Sequence, residues 1–222
     1  MDIHKPKPWH GWREFLKEYL IIVAGIVTAL LGDQGVEQLR RGAEVREARA
    51  ALHDEIATDA AIAARSIEPA HCYAAQLDAG DAWARGGPRP PEVSLLGLTM
   101  LSTTWETAKT GAVTHMPLKE RLGLAAFYNG ASGHQRIIVA EEDAYLALRV
   151  FWAHSELDKD TAARLLETIK RARVLNDVHI ISSRQVVADA AAVGVKPKTL
   201  TGAFQAILAQ ACGAAVPSAT GK

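Results

Sequence analysis

The sequence predicts an all-α protein: an N-terminal transmembrane helix continuing into an antiparallel helical bundle. Three observations carry that reading. Alanine supplies 40 of the 222 residues, and alanine is the strongest helix former and a poor strand residue. Apolar side chains recur at three-to-four spacing over long stretches, with no strand-turn-strand pattern between them. Near the N-terminus, Tyr19 to Gly32 runs fourteen residues without a charge.

The first element is a tail over 1–14, followed by the anchor. Fourteen helical residues reach only about 21 Å, short of the roughly 30 Å of a bilayer core. Extending the run to 15–36 supplies 22 residues and takes in Lys17, Glu18 and Asp33. Those charges fall near the ends, at well below the roughly 3 kcal/mol each would cost at the centre. Eight Leu, Ile and Val residues in the run contribute about −2 to −5 kcal/mol together, so insertion wins modestly. Trp9 and Trp12 lie where an aromatic belt belongs. Two readings compete with a retained anchor. One is a cleaved signal peptide, with Val27-Thr28-Ala29 as the candidate triplet; the other is the buried core helix of a soluble protein. Charge does not orient the segment. Lys5, Lys7, Arg13 and Lys17 precede it, and Arg40, Arg41, Arg46 and Arg49 follow it. Four against four leaves the positive-inside rule silent. Gly25, Ala29 and Gly32 have the small-x-x-x-small spacing of a homodimer contact, although Gly and Ala are common in such helices without that role.

The string HKPKPWHGWREFLKEYLIIVAGIVTALLGDQGVE resembles the opening of a family of uncharacterised bacterial single-pass membrane proteins, of proteobacterial type. The later STTWETAKTGAVTHMPLKERLGLAAFYN is similar to the middle of the same family. The resemblance implies a bacterial inner-membrane protein with its N-terminus in the cytoplasm and the bulk of the chain in the periplasm. It implies no mechanism. Asp33 stands where relatives tend to show Glu, a change that leaves the anchor intact.

Residues 37–85 read as a stalk and the first bundle helices. Val45, Leu52, Ile56, Ala63 and Ile67 form a stripe, Gly42 is a weak point, and Pro69 is expected to break or kink the helix. A second short helix, His71 to Arg85, should end at Gly86-Gly87. Residues 86–98, with Pro88-Arg89-Pro90-Pro91, read as a stiff extended linker. The bundle domain covers 99–212. A helix from Thr99 to Thr110 closes at Gly111, and Met116-Pro117 opens another that breaks at Asn129-Gly130. Ser132 or Gly133 starts a long helix to His154, with Ile138, Tyr145, Leu148 and Trp152 on one face. Ser155-Glu156-Leu157-Asp158 resembles a capping box. The longest helix is expected from Asp158 to Val193, with Leu165, Ile169, Ala172, Val186, Ala190 and Val193 in one stripe. Gly194 and Pro197 stop it. Thr199 caps a last short helix to Ala211, and 213–222 is expected to be a disordered tail.

Composition excludes several functions. Twenty-five basic and 25 acidic side chains leave no net charge, so no nucleic acid is expected as partner. Two cysteines rule out a cysteine-dense framework and a four-thiolate zinc site. No dinucleotide, P-loop, nucleophile-elbow or zincin motif is present. Eight scattered histidines form no i, i+4 pair. Glu141-Glu142-Asp143 reads as a solvated face. Asn176, His179 and Ser183 interrupt the apolar stripe of the longest helix, and a hydrogen-bonded network across the bundle is the preferred explanation. Thr104, Trp105, Glu106, Lys109 and His115 form the candidate ligand or partner contact. Core packing of Trp105 and a surface Glu106–Lys109 pair explain the same residues without function. An oxidising compartment would permit a disulfide between Cys72 and Cys212; two unpaired buried thiols are the preferred reading of the same residues.

The expected function is that of a non-enzymatic, single-pass inner-membrane protein whose helical domain binds or scaffolds a partner. No catalytic residue, metal or cofactor is expected. The partners expected are the lipid bilayer and a protein, a second copy included. The alternative is a small-ligand binder or enzyme with a pocket near Trp105, Glu106 and His115.

Overall fold

The computed structural model describes residues 11–92, 97–200 and 202, and every regular element among them is helical. The helices are α1 (Trp12–Ala84), α2 (Thr103–Ala108), α3 (Leu118–Arg149) and α4 (Lys159–Ala192). Short 3-10 turns occupy Ala112–His115 and Val150–Ala153. The chain divides into two compact units, Met1–Glu47 and Ala48–Lys222.

In the first unit α1 stands without a core. Its most apolar 18-residue window has mean hydropathy 1.8 and is 0% buried. Tyr19, Ile22, Ile26 and Leu30 are all exposed. The run is therefore not packed in a core formed by the described residues. It is long and apolar enough to cross a membrane, by length and composition. Beyond it, Arg41 pairs with Glu37 at 2.8 Å and Arg40 with Glu44 at 2.9 Å, both one helical turn apart.

In the second unit the later part of α1 packs with α3 and α4. Tyr73, Leu77 and Trp83 of α1, Tyr145 and Leu148 of α3, and Leu165 and Ile169 of α4 share one core cluster. Hydrogen bonds fix the directions. Arg49 and Glu55 meet Glu120 and Tyr128 near the start of α3, while Trp83 meets Trp152 just past its end, ring centroids 5.4 Å apart. So α3 runs parallel to α1. α4 returns antiparallel to both, with Arg173 near Asp78 and Ser183 near Ser66. The expected bundle of antiparallel neighbours is corrected on this point. A connection of the length of 85–117 is long enough to carry the chain back along α1 before α3 begins.

Three expected helix boundaries are also corrected. α1 passes through Pro69 unbroken, so His71 to Arg85 is not a separate helix. Proline removes one helical hydrogen bond and costs about 3 kcal/mol. Here Pro69 is itself buried and core contacts continue on both sides, at Ser66 and at Ala70 and Tyr73. α3 passes through Asn129-Gly130 unbroken and ends at Arg149. Gly130 makes no turn: it lies within the helix, and a Cβ on it would lie 2.8 Å from the Asp189 Oδ2 carboxylate oxygen of α4, which would have to shift. The helix expected over Thr99–Thr110 is only Thr103–Ala108. At 73 residues α1, not α4, is the longest helix.

The ends of α4 follow ordinary capping chemistry. Asp158 accepts from Thr161 N at 2.8 Å and from Thr161 Oγ1 at 3.0 Å, so it caps α4 itself rather than closing a box begun at Ser155. Gly194, at φ +80°, ends the helix in a Schellman turn, with Val195 N donating to Ala190 O at 2.9 Å. The expected stripes hold: Ile138, Tyr145, Leu148 and Trp152 are buried, as are Leu165, Ile169, Ala172, Val186 and Ala190. Val193 is half-exposed, as are Val45 and Ile67 of the stripe expected on α1, whose Leu52, Ile56 and Ala63 are buried. The last expected helix and the 213–222 tail fall largely outside the described residues.

Candidate functional site

The segment richest in functional groups is held down by α1. Glu55, buried on α1, accepts from Thr104 N at 2.8 Å, Trp105 N at 3.3 Å and Tyr128 OH at 2.8 Å. One turn later Asp59, fully buried, accepts from Leu101 N at 2.8 Å. The carboxylates thereby fasten residues 101–105 to α1. Burial pushes the Asp59 carboxyl up to about 7, with the Glu55 charge adding to the rise and the Leu101 N–H opposing it. Burial and the Glu55 contact also push the Tyr128 hydroxyl up.

The residues expected to make ligand or partner contact lie around this fastening. The Trp105 ring stacks on Tyr128 at 4.8 Å, and the Thr104 and Trp105 amides are engaged by Glu55. Glu106 and Lys109 pair at 2.5 Å on the surface. His115 is exposed in the 3-10 turn after α2. Composition gave no sign of Glu55 and Asp59, which look like two more charges of a solvated helix face. Their spacing in the Leu52–Ile56–Ala60–Ala63 stripe is the signal that places them inward.

A second buried polar cluster crosses the bundle core. His179 Nδ1 lies 2.6 Å from Glu141 Oε2, and Nε2 lies 3.0 Å from Ser66 Oγ. Ser66 Oγ is also 3.1 Å from Ser183 Oγ. Acid, imidazole and hydroxyl stand in the order of a nucleophilic relay. Burial argues against that use. Ser66 donates to Ala63 O at 2.9 Å, and it is 2% exposed, out of reach of a substrate. Glu141 is thus buried and bonded, and its assignment to a solvated face is corrected; Glu142 and Asp143 are exposed. Asn176 donates to Ala70 O at 3.0 Å, and with His179 and Ser183 it makes the network expected of these residues.

An open groove of about 480 Å³ runs between α3 and α4 beside this cluster, with Gly130, Gly133, Ile137 and Ala140 on one side and Leu175 and Gln185 on the other. His134 and Ser182 also line it. Ser182 donates to His179 O at 3.0 Å, so it accepts from His134 Nδ1 at 2.7 Å. Burial, with a smaller contribution from His179, pushes His134 down to about 4. Among the described residues no group of three or more His, Cys, Asp or Glu is placed to hold a metal ion. Cys72 is disulfide-bonded; the expected partner, Cys212, lies outside the described residues.

No family model, curated protein or solved structure matches the chain.

Proposed function

We propose that the protein is a single-pass bacterial inner-membrane protein whose helical domain serves, on the periplasmic side, as a non-enzymatic binding or scaffold module. The observation that carries the membrane assignment is the exposed apolar run of α1, none of whose most apolar window is buried within the protein. Water is a poor solvent for such a surface and a bilayer a good one. The resemblance of the opening and middle segments to a family of bacterial membrane proteins supports the orientation, since the flanking charges tie. Support for a binding rather than a catalytic domain comes from where the polar chemistry goes. Glu55, Asp59, Glu141 and His179 are buried and bonded to the protein itself. Outside, Val174, Val178 and Ile181 leave an exposed apolar stripe on α4.

Fractionation tests the anchor. The protein should sediment with membranes and resist alkaline carbonate extraction. Ile22→Asp with Ile26→Asp should release it, because two central acids cost roughly 5–7 kcal/mol against a smaller insertion gain. A wild-type protein that stays in the supernatant after ultracentrifugation rejects the proposal. Orientation is read separately: alkaline phosphatase fused after Lys222 should be active.

A further inference from the structure

Helix α4 has two apolar faces, and the bundle covers one of them. Leu165, Ile169 and Ala172 are buried in a cluster with side chains of α1 and α3. Val174, Val178 and Ile181 lie on the opposite side, at about 100° per residue. They are 61%, 38% and 66% exposed. The stripe continues past them, because Gln185, Ala188 and Ala192 are exposed as well. From Val174 its steps are 4, 3, 4, 3 and 4 residues. That is the spacing of a coiled-coil seam, in which every position meets a second helix.

The charges beside the stripe say which helix. With Val178, Gln185 and Ala192 at the a positions and Val174, Ile181 and Ala188 at the d positions, Arg184 falls at g and Asp189 at the following e. Arg184 is exposed, and Asp189 is half-buried with Oδ1 accepting from Gln185 Nε2 at 2.7 Å. Neither has an ion-pair partner among the described residues. Within one helix they stand about 140° apart and cannot meet. Across two parallel copies of α4 in register, g of each strand reaches e of the other, and the pair forms twice. Gln185 then meets its own counterpart, and a single polar a position of this kind specifies register. An antiparallel pair would bring Asp177 to Arg184, but it would set Gln185 on Val174. It would also have the two chains enter from opposite ends, whereas two anchors in one bilayer call for entry from the same end.

We propose that α4 pairs in parallel and in register with α4 of a second copy, along Val174, Val178, Ile181 and Gln185, with Arg184 of each copy on Asp189 of the other. The inference rests on the reading of the domain as a binding module and names its partner. The seam from Val174 to Ala192 is about 27 Å long. A seam that short gives a weak pair in free solution, strengthened where both copies are confined to one membrane.

The test uses the full chain carrying Val174→benzoylphenylalanine, irradiated in intact cells and again after purification in detergent. The expected product has the mass of two chains, and its tryptic digest joins residues 174–184 of one copy to 174–184 of the other. Linkage to 185–198 would mean an antiparallel pair and would overturn the proposal. An adduct with a different protein overturns the pairing and leaves the binding reading standing. An adduct within one chain, or none, overturns the pairing and the α4 binding face together. Sedimentation of the unmodified chain in detergent measures the strength. Val174→Glu with Ile181→Glu should raise the dissociation constant about tenfold or more, because like charges then face one another across the seam. Both sites are more than half exposed, so the far-UV spectrum should not change. Arg184→Glu should weaken the pair severalfold, and Arg184→Lys should not. Unchanged dimerisation in the double variant, or equal effects of the two changes at Arg184, overturns the pairing.

Discussion

Glu55 stands in for the cap that α2 lacks. Ser102, at the N-cap position, makes no side-chain capping bond, and the Thr104 and Trp105 amides turn to Glu55 instead. Removing that carboxylate leaves two amides and the Tyr128 hydroxyl without an acceptor. Glu55→Ala should therefore cost about 3–5 kcal/mol, read by urea unfolding with tryptophan fluorescence. Glu55→Gln keeps one acceptor oxygen and should cost well under half of that. Equal losses in the two variants would show that a single acceptor oxygen does not suffice and that both carboxylate oxygens are needed. Asp59 predicts a pH dependence. Its carboxyl is raised to about 7 in the fold, against about 3.9 in an unfolded chain. The native state therefore holds the extra proton between about pH 4 and 7. Its contribution to stability is full below the unfolded value and is lost as pH rises through 7, a change of up to about 4 kcal/mol. Asp59→Asn keeps an acceptor for Leu101 N and should flatten that part of the profile. An unchanged pH slope in the variant would reject the assignment.

The helices show how local signals and packing divide the decision. α4 was legible at both ends because its stop signals act locally: Asp158 caps the first turn, and Gly194 adopts the positive φ that other residues resist. Asp158→Ala and Gly194→Ala should each cost about 1 kcal/mol. The ends are about 50 Å apart, so the double variant should lose about 2 kcal/mol. A double loss equal to either single loss would mean that α4 frays from one end only. Pro69 and Asn129-Gly130 carry equally strong local signals and were overruled. At Pro69 the neighbouring turns are committed to the core through Ser66 and Ala70. At Gly130 the missing side chain admits Asp189 of the facing helix. Neither reason is visible without knowing which helices meet.

At the scale of the molecule, the division at Glu47 and Ala48 separates two kinds of surface. The first unit exposes its apolar side chains, and the second buries Leu52, Tyr73, Tyr145, Leu165 and their neighbours. A fragment beginning at Ala48 should therefore remain in solution without detergent and unfold in one cooperative step, provided that it is produced under oxidising conditions. Gradual unfolding, or aggregation as severe as that of the full chain, would show that the bundle depends on the segment before it. Calorimetry beside size exclusion makes the distinction.

Composition and periodicity by themselves determined the helical class, the apolar N-terminal run, the inward stripes of α3 and α4, and the inward line of Asn176, His179 and Ser183. These are properties of a helix and its neighbours along the chain, and a 3.6-residue period records them directly. Tertiary structure alone decided that α3 runs parallel to α1, that helices continue through Pro69 and Gly130, and that Glu55, Asp59 and Glu141 are buried acids. A carboxylate reads as solvated until its donors are known. Those donors, Leu101, Thr104, Trp105, Tyr128 and His179, lie 38 to 73 residues away in the chain. No local pattern encodes a hydrogen bond over that separation; packing three helices side by side creates it.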